Sequence, residues 1–239
     1  KLAIKFYEKA KKINPYNQQI DENIIICNVR LNNFEWVEKK ILNLQNEEKI
    51  NHKLILSYSY LLLGKKNFNK GFNYFDARLE TSEFQKKNKY HYNIIKNFNT
   101  RKEFETNKNI LIVREQGVGD EILLSSIYND LIKHNLSKVK IECDKRLLEI
   151  FNRSFNKDIF YPFGHYSSSN KTLQEFDNIL YAGSLTKYFR GKESDFEIEP
   201  YIKTSDKLDK KFNAIVEKFN GKKKIGKSWK SVFNIFGSL

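Results

Sequence analysis

Glu115, Gln116, Gly117, Gly119 and Asp120 stand almost side by side. An apolar run, Ile110 to Val113, leads into them, and a pattern of helical period, Ile122, Leu123, Ile127 and Leu131, follows. The stretch Asn109 to Leu131 therefore reads as strand, tight loop and helix. A parallel α/β sheet places chemistry at such a handover, because the helix N-terminus offers unpaired N–H groups and a partial positive charge. The loop presents two carboxylates, a carboxamide and two glycines there. One reading is a dinucleotide fingerprint: Gly117 and Gly119 supply its first two glycines, Ile122 stands where the third belongs, and Glu142 and Asp144 lie about 20 residues on, where a ribose-binding acid is placed. The plainer reading is that the glycines make the turn and Asp120 caps a helix.

The rest of the chain has to position that loop. With 239 residues and 40% hydrophobic content it can bury one large core or two small ones. No apolar run approaches the roughly 20 residues of a membrane span, and no charged-then-apolar leader is visible. The chain has no methionine and opens inside a helical pattern, so a fragment of a longer protein is expected. Lysine plus arginine number 43 against 29 acids, a formal charge of +14. The excess is mostly Lys spread along the chain among Asn, Ile, Phe and Tyr, without Arg clusters or nucleic-acid-binding signatures, so nucleic acid is not expected as a partner. Cys27 and Cys143 lie far apart in apolar segments and read as buried free thiols. His52, His91, His134 and His165 show no zinc-ligand spacing, and no metal is expected.

Residues 1–104 carry helical periodicity. Ala3, Tyr7, Ala10 and Pro15 match the second half of a tetratricopeptide unit, Ile24 to Leu44 forms a weaker unit, and Tyr60, Leu63 and Gly64 open a third. Beyond Gly64 the fit lapses, and Gly71 to Arg78, GFNYFDAR, has a pattern of its own. Three helical hairpins are expected, stacked because none buries its apolar face alone. The charged stretch Glu80 to Lys108 is the candidate linker. Further on, strands are expected at Val139 to Cys143, Asp158 to Tyr161 and Asn178 to Ala182. Helices are expected at Lys145 to Phe155, from Ser184 as N-cap through Phe189, and at Asp206 to Phe219. Alternating strands and helices imply a parallel, doubly wound sheet. Lys223 to Trp229, KKIGKSW, begins like one more strand.

In this order the parts resemble bacterial tetratricopeptide-repeat glycosyltransferases, which are related to the ADP-heptose lipopolysaccharide heptosyltransferases and have a two-lobed GT-B fold. The resemblance is carried by GFNYFDAR, EQGVGDEILLSSIYNDL, IECDKRLLEIFNRSF, AGSLTKYFR, PYI and IGKSWKS, and spans the whole chain. It implies helical repeats over 1–104, a Rossmann-like acceptor lobe over 108–222, and the first strand of a donor lobe over 223–239. It implies transfer of a sugar from a nucleotide diphosphate to an acceptor hydroxyl, in the cytoplasm or at the inner face of the membrane, with the repeats as scaffold or partner-binding surface. Asp120 would then be the general base. Gly117 and Gly119 would let backbone approach acceptor or sugar, Glu115 and Gln116 would bind hydroxyls, Arg190 would meet an anionic acceptor, and Lys227 and Ser228, with Trp229, would line the cleft.

Heptosyltransferases proper lack the N-terminal repeats and differ before the Gly-Asp pair, so heptose is not implied. No DxD motif is present, which fits cation-independent transfer. A different class also fits: a non-catalytic repeat module that binds a protein partner, with a degenerate α/β lobe.

Overall fold

The computed structural model describes residues 1–46, 51–87, 109–133, 138–155, 158–196, 199–219 and 221–223. The expected strand beginning at Lys223, with the candidates Lys227 and Ser228 and with Trp229, lies from residue 224 onward outside the described residues, as do His91 and His134. The molecule is a mixed helical protein with a four-stranded parallel sheet.

Five helices come first: α1 (Leu2–Ile13), α2 (Gln18–Arg30), α3 (Phe34–Asn46), α4 (His52–Gly64) and α5 (Phe68–Phe75). Asn caps start three of them, since a short side chain accepts from a free N–H of the first turn: Asn17 from Gln19 N (3.0 Å), Asn51 from Leu54 N (3.0 Å) and Asn67 from Lys70 N (3.4 Å). Each helix packs on the next and α2 also packs on α4, around Ile25, Val37, Ile41, Leu54, Tyr58, Leu61 and Leu62. The links α2–α3 and α4–α5 are the same turn. Asn32 (φ 58°) and Lys66 (φ 59°), 34 residues apart, are both left-handed. In both links the following Asn N–H returns to the third-last helical carbonyl, Asn33 to Asn28 (3.0 Å) and Asn67 to Leu62 (2.8 Å). At the α4–α5 contact Ser59 Oγ donates to Gly71 O (2.8 Å), and a Cβ on Gly71 would meet Leu63 Cδ2 at 2.6 Å, so only glycine permits this approach.

The chain then passes through a 3-10 turn, Asp76–Glu80, to α6 (Ser82–Lys87). The sheet follows: β1 (Ile110–Val113), β2 (Val139–Cys143), β3 (Phe160–Pro162) and β4 (Asn178–Tyr181), all parallel, in the order β3-β2-β1-β4. Between them run α7 (Val118–Leu124), α8 (Tyr128–Lys133), α9 (Leu148–Phe155) and α10 (Asn170–Leu173), and α11 (Thr186–Phe189) follows β4.

A strand buried on both faces sends alternate residues to opposite cores. Ile110 and Ile112 join Tyr128, Leu131, Phe151 and Leu180 on one face. Leu111 and Val113 join Ile179, Tyr181, Leu173 and Phe84, with Leu79 packed alongside, on the other. Phe84 and Leu79 belong to the helical half of the sequence, and the Phe84 ring meets Tyr181 edge-on at 5.0 Å. The turn Asp76–Glu80 and α6, which follow the helical hairpins, thus help to cover the second face of the sheet. Residues 82–87, expected within a linker, form part of that cover.

Several bounds differ from the pattern-based expectation for identifiable reasons. β3 starts at Phe160, two residues late, and takes in Pro162, which needs no ladder donor at an edge strand. The helix expected from Lys145 begins at Leu148, because Asp144 Oδ1 accepts from Arg146 N (3.0 Å) and holds a turn there. The helix after β1 tightens to 3-10 at Ser125–Ile127, where Ser125 Oγ donates to Ile122 O (2.7 Å). Ser184 does not cap a helix, for it lies inside a 3-10 turn, Ala182–Leu185.

By packing, the chain divides into the units 1–202 and 203–239. In the second, α12 (Asp206–Glu217) is capped by Ser205 and carries one apolar stripe, Leu208, Phe212, Ile215 and Val216. Among the described residues no helix is long and apolar enough to cross a membrane.

Candidate functional site

The strand order reverses at β1: the chain steps outward from β1 to β2 and β3, then returns to place β4 on the other side of β1. In open parallel sheets the crevice outside the carboxyl ends of strands at such a reversal is where ligands bind. Two loops meet there, Arg114 to Asp120 after β1 and Ala182 to Leu185 after β4.

The first loop turns on Gln116, a non-glycine residue in the left-handed region (φ 62°). Such residues are uncommon and concentrate where a site needs a fixed reversal. Gln116 and Gly119 are exposed and Gly117 half-buried. Asp120 stands in the first turn of α7, exposed, with Oδ2 accepting from Gly117 N (3.0 Å). That bond orients the carboxylate and leaves Oδ1 for another proton donor.

Glu115 points the other way, into the protein, at 2% exposure. Arg78, from the GFNYFDAR segment, is equally buried and grips both its oxygens, Nε to Oε2 at 2.8 Å and Nη2 to Oε1 at 2.7 Å. The backbone N–H of Gly183 donates to the same carboxylate. Arg78 also donates to Asp76 Oδ1 (2.8 Å), Phe75 O (3.2 Å) and Ser184 Oγ (3.1 Å), so all five guanidinium N–H donors are used. Ser184 Oγ and Lys187 Nζ complete the cluster on Asp76, each at 2.6 Å. Burial pushes the Asp76 carboxyl up, but Arg78, Lys187 and Ser184 outweigh it and hold the group below its ordinary value. Gly183 is obligatory here, since a Cβ would meet Arg78 Nη2 at 2.8 Å and lie closer still to Glu115 Oε1. The expectation that Glu115 binds a ligand hydroxyl is therefore corrected: its oxygens are taken by a bidentate arginine and a backbone N–H.

A second cluster lies beside it. Arg114 pairs with Glu121 (2.7 Å) and Asp144 (3.4 Å), and Glu121 Oε2 accepts from Asp144 N (2.8 Å). Burial raises the Glu121 carboxyl above its ordinary value, with the Asp144 N–H and Arg114 pulling it back. Glu142 is fully buried and takes the N–H groups of Tyr166 and Ser167 and the Ser167 hydroxyl, 2.6 to 2.9 Å. The two acids of the dinucleotide reading are thus engaged with the protein's own groups, which gives a ribose diol no opening at either.

Arg190 is also internal. It is 2% exposed and holds Asp130 Oδ2 (2.7 Å), Phe189 O (2.7 Å) and Ser126 O (2.9 Å), so most of its donors are committed within the protein. A groove of about 400 Å³ runs past it, lined among others by Lys133, Tyr188 and Phe196.

One further residue was expected only to open a helical repeat. Tyr60 of α4 is 51% exposed between buried Ser59 and Leu61, and its ring packs edge-on to Phe75 at 6.2 Å. Burial on its inner side raises its hydroxyl above the ordinary range. Arg78 opposes that rise, and the carboxylates of Glu115, Asp120 and Glu83 add to it. Tyr60 thus stands within electrostatic reach of the Asp120 loop. The available signal for Asp76 and Arg78 was GFNYFDAR, where the repeat pattern lapses. Their partners lie 37 to 111 residues away, and no local spacing announces them.

Among the described residues no group of three or more His, Cys, Asp or Glu could hold a metal ion. No family model, curated protein or solved structure matches the chain.

Proposed function

We propose that this chain is the helical-repeat and acceptor-lobe part of a cation-independent glycosyltransferase of GT-B architecture. The observation that carries the reading is the exposed, fixed Gln116 to Asp120 loop at the strand-order reversal between β1 and β4. Two further features support it. The helical links recur at 34 residues, the period of tetratricopeptide repeats. The order β3-β2-β1-β4 is that of the first half of a Rossmann-like lobe.

In this reading an acceptor hydroxyl reaches Asp120, whose carboxylate takes its proton as the oxygen attacks the anomeric carbon. The bond from that carbon to the diphosphate breaks, and the nucleoside diphosphate leaves with its electron pair. Gln116 and the backbone around Gly117 and Gly119 bind the acceptor. Glu115 shapes the loop from beneath.

The test is release of nucleoside diphosphate from a panel of nucleotide-sugars by a protein carrying this chain together with a donor lobe. Asp120→Asn should lower turnover by about 10²- to 10⁴-fold, the usual worth of a general base. Turnover unchanged by that substitution removes the assignment.

A second reading, a non-catalytic module that binds a protein partner, is favoured by one observation: Glu115 and Arg190 are both spent on internal ion pairs. It predicts peptide binding with no nucleotide-sugar turnover.

A further inference from the structure

We propose that α12 docks flat on an anionic lipid bilayer, its apolar stripe set into the headgroup region and its lysines against the lipid phosphates. This surface belongs to the unit 203–239 alone, and its binding needs neither Asp120 nor a nucleotide-sugar.

A helix that packs on a core buries its apolar side. α12 has a distinct apolar side and no buried residue. Leu208, Phe212, Ile215 and Val216, with Phe219 just past the helix end, stand 39 to 54% exposed. Their spacing along the chain, four, three, one and three residues, sets all five on one side of a helix.

Charge is arranged around that stripe. Lys211 comes three residues after Leu208 and four before Ile215, and Lys218 three after Ile215, so both stand beside the stripe. Lys207 continues their row one turn earlier. All three are exposed, and none forms an ion pair among the described residues. Two acids of the helix, Asp206 and Glu217, fall on the opposite side by the same periodicity, and the third, Asp209, accepts from the Thr204 hydroxyl. The wider unit has the same sign. Residues 203–239 hold ten lysines, no arginine and three acids, a formal +7, so half of the chain's +14 lies in its last 37 residues.

Stripe and lysine row together select the occupant. Nucleic acid answers the lysines and leaves the phenylalanines in water. A second copy of this chain answers the phenylalanines but brings its own lysines against these. An anionic bilayer answers both, because apolar side chains enter the acyl boundary while lysine stems lie along it and carry their ammonium groups to the phosphates. Twelve residues are too few to cross, so the helix lies in the plane of the surface.

The test is flotation of the whole 239-residue chain with two kinds of vesicle, phosphatidylcholine alone and equal parts phosphatidylcholine and phosphatidylglycerol. The chain should float with the mixed vesicles and not with the neutral ones. Phe212→Ser should weaken binding about tenfold, the loss of one buried ring, and Lys211→Gln about fivefold, the worth of one lysine at an anionic surface. Circular dichroism confirms that each variant is folded. Absence of binding to the mixed vesicles, equal binding to the neutral ones, or binding indifferent to either substitution overturns the proposal. Three overturning results name another occupant when vesicles are not bound. Dimers dispersed by Phe212→Ser point to a second copy, a monomer destabilised by Phe212→Ser to another segment of this chain, and binding of a DNA duplex that Lys211→Gln weakens and Phe212→Ser does not to nucleic acid.

Discussion

Arg78, in a turn that follows the helical hairpins, closes a two-point ion pair on Glu115, the second residue beyond β1, with both side chains removed from water. Charges so buried are tolerable only when each answers the other and their remaining donors and acceptors are filled, as they are here by Asp76, Phe75, Ser184 and Gly183. The relationship explains why Glu115 belongs to the architecture while its neighbours Gln116 and Asp120 face solvent.

Removing one member strands the other. Arg78→Ala and Glu115→Ala should each lower unfolding stability by about 3 to 5 kcal/mol, read from denaturant midpoints. The double variant should cost clearly less than the sum of the two. Additive costs would show that the pair is not coupled.

Gly183→Ala places a methyl group against Arg78 and Glu115. The expected cost is about 1 to 3 kcal/mol, the range of overpacking in a tight site. Gly119→Ala is the control: a Cβ there has no atom within 4 Å, and stability should move by no more than about 0.5 kcal/mol.

The acid limb of stability should carry the signature of Asp76. Its folded-state value is depressed, so its contribution is fully present above the unfolded carboxylate value near pH 4 and is lost as pH falls through the folded one. Urea unfolding between pH 6 and 2.5 should show wild type and Asp76→Asn converging toward the acid end. A constant gap would assign the stabilisation to another group.

The two thiols should differ in reach. Cys143 has no exposed surface, and burial foremost, helped by nearby carboxylates, pushes its thiol up to about 12. Cys27 is partly exposed. A thiol-specific reagent at pH 8 should label Cys27 in the native protein and reach Cys143 only on unfolding. Equal labelling rates would contradict the packing described.

Arg190→Ala should likewise act on folding. It leaves Asp130 and two carbonyls without their donor, and a loss of about 1 to 3 kcal/mol is expected. A variant of unchanged stability would return Arg190 to the ligand candidates.

The apolar run Ile110 to Val113 made β1 legible, because a strand buried on both faces is mostly apolar, and β2 and β4 were legible from their shorter apolar sets, Val139, Ile141 and Cys143, and Ile179, Leu180 and Tyr181. The helices of the first half were legible from their period. β3 was misplaced by two residues, since Ile159 continues the apolar pattern and its carbonyl accepts from Ile141 N of β2 although the strand itself begins at Phe160. In the candidate site the exposed part, Gln116 to Asp120, was readable as a loop of special composition. The fates of Glu115 and Arg190 were not. A carboxylate bound for an internal arginine and one bound for a ligand look alike until the fold brings Arg78 or Asp130 to its place.

The Arg78 joint also bears on how such a chain can be recombined. Its halves match through six residues: Asp76 and Arg78 on the helical side, Glu115, Gly183, Ser184 and Lys187 on the sheet side. A chimera that exchanges the hairpins while keeping the sheet inherits an unanswered carboxylate unless the incoming segment brings its own arginine at that turn. The repeats are interchangeable only as a set that includes this last turn, and the natural seam for engineering hybrids falls after Lys87 and not after the final hairpin.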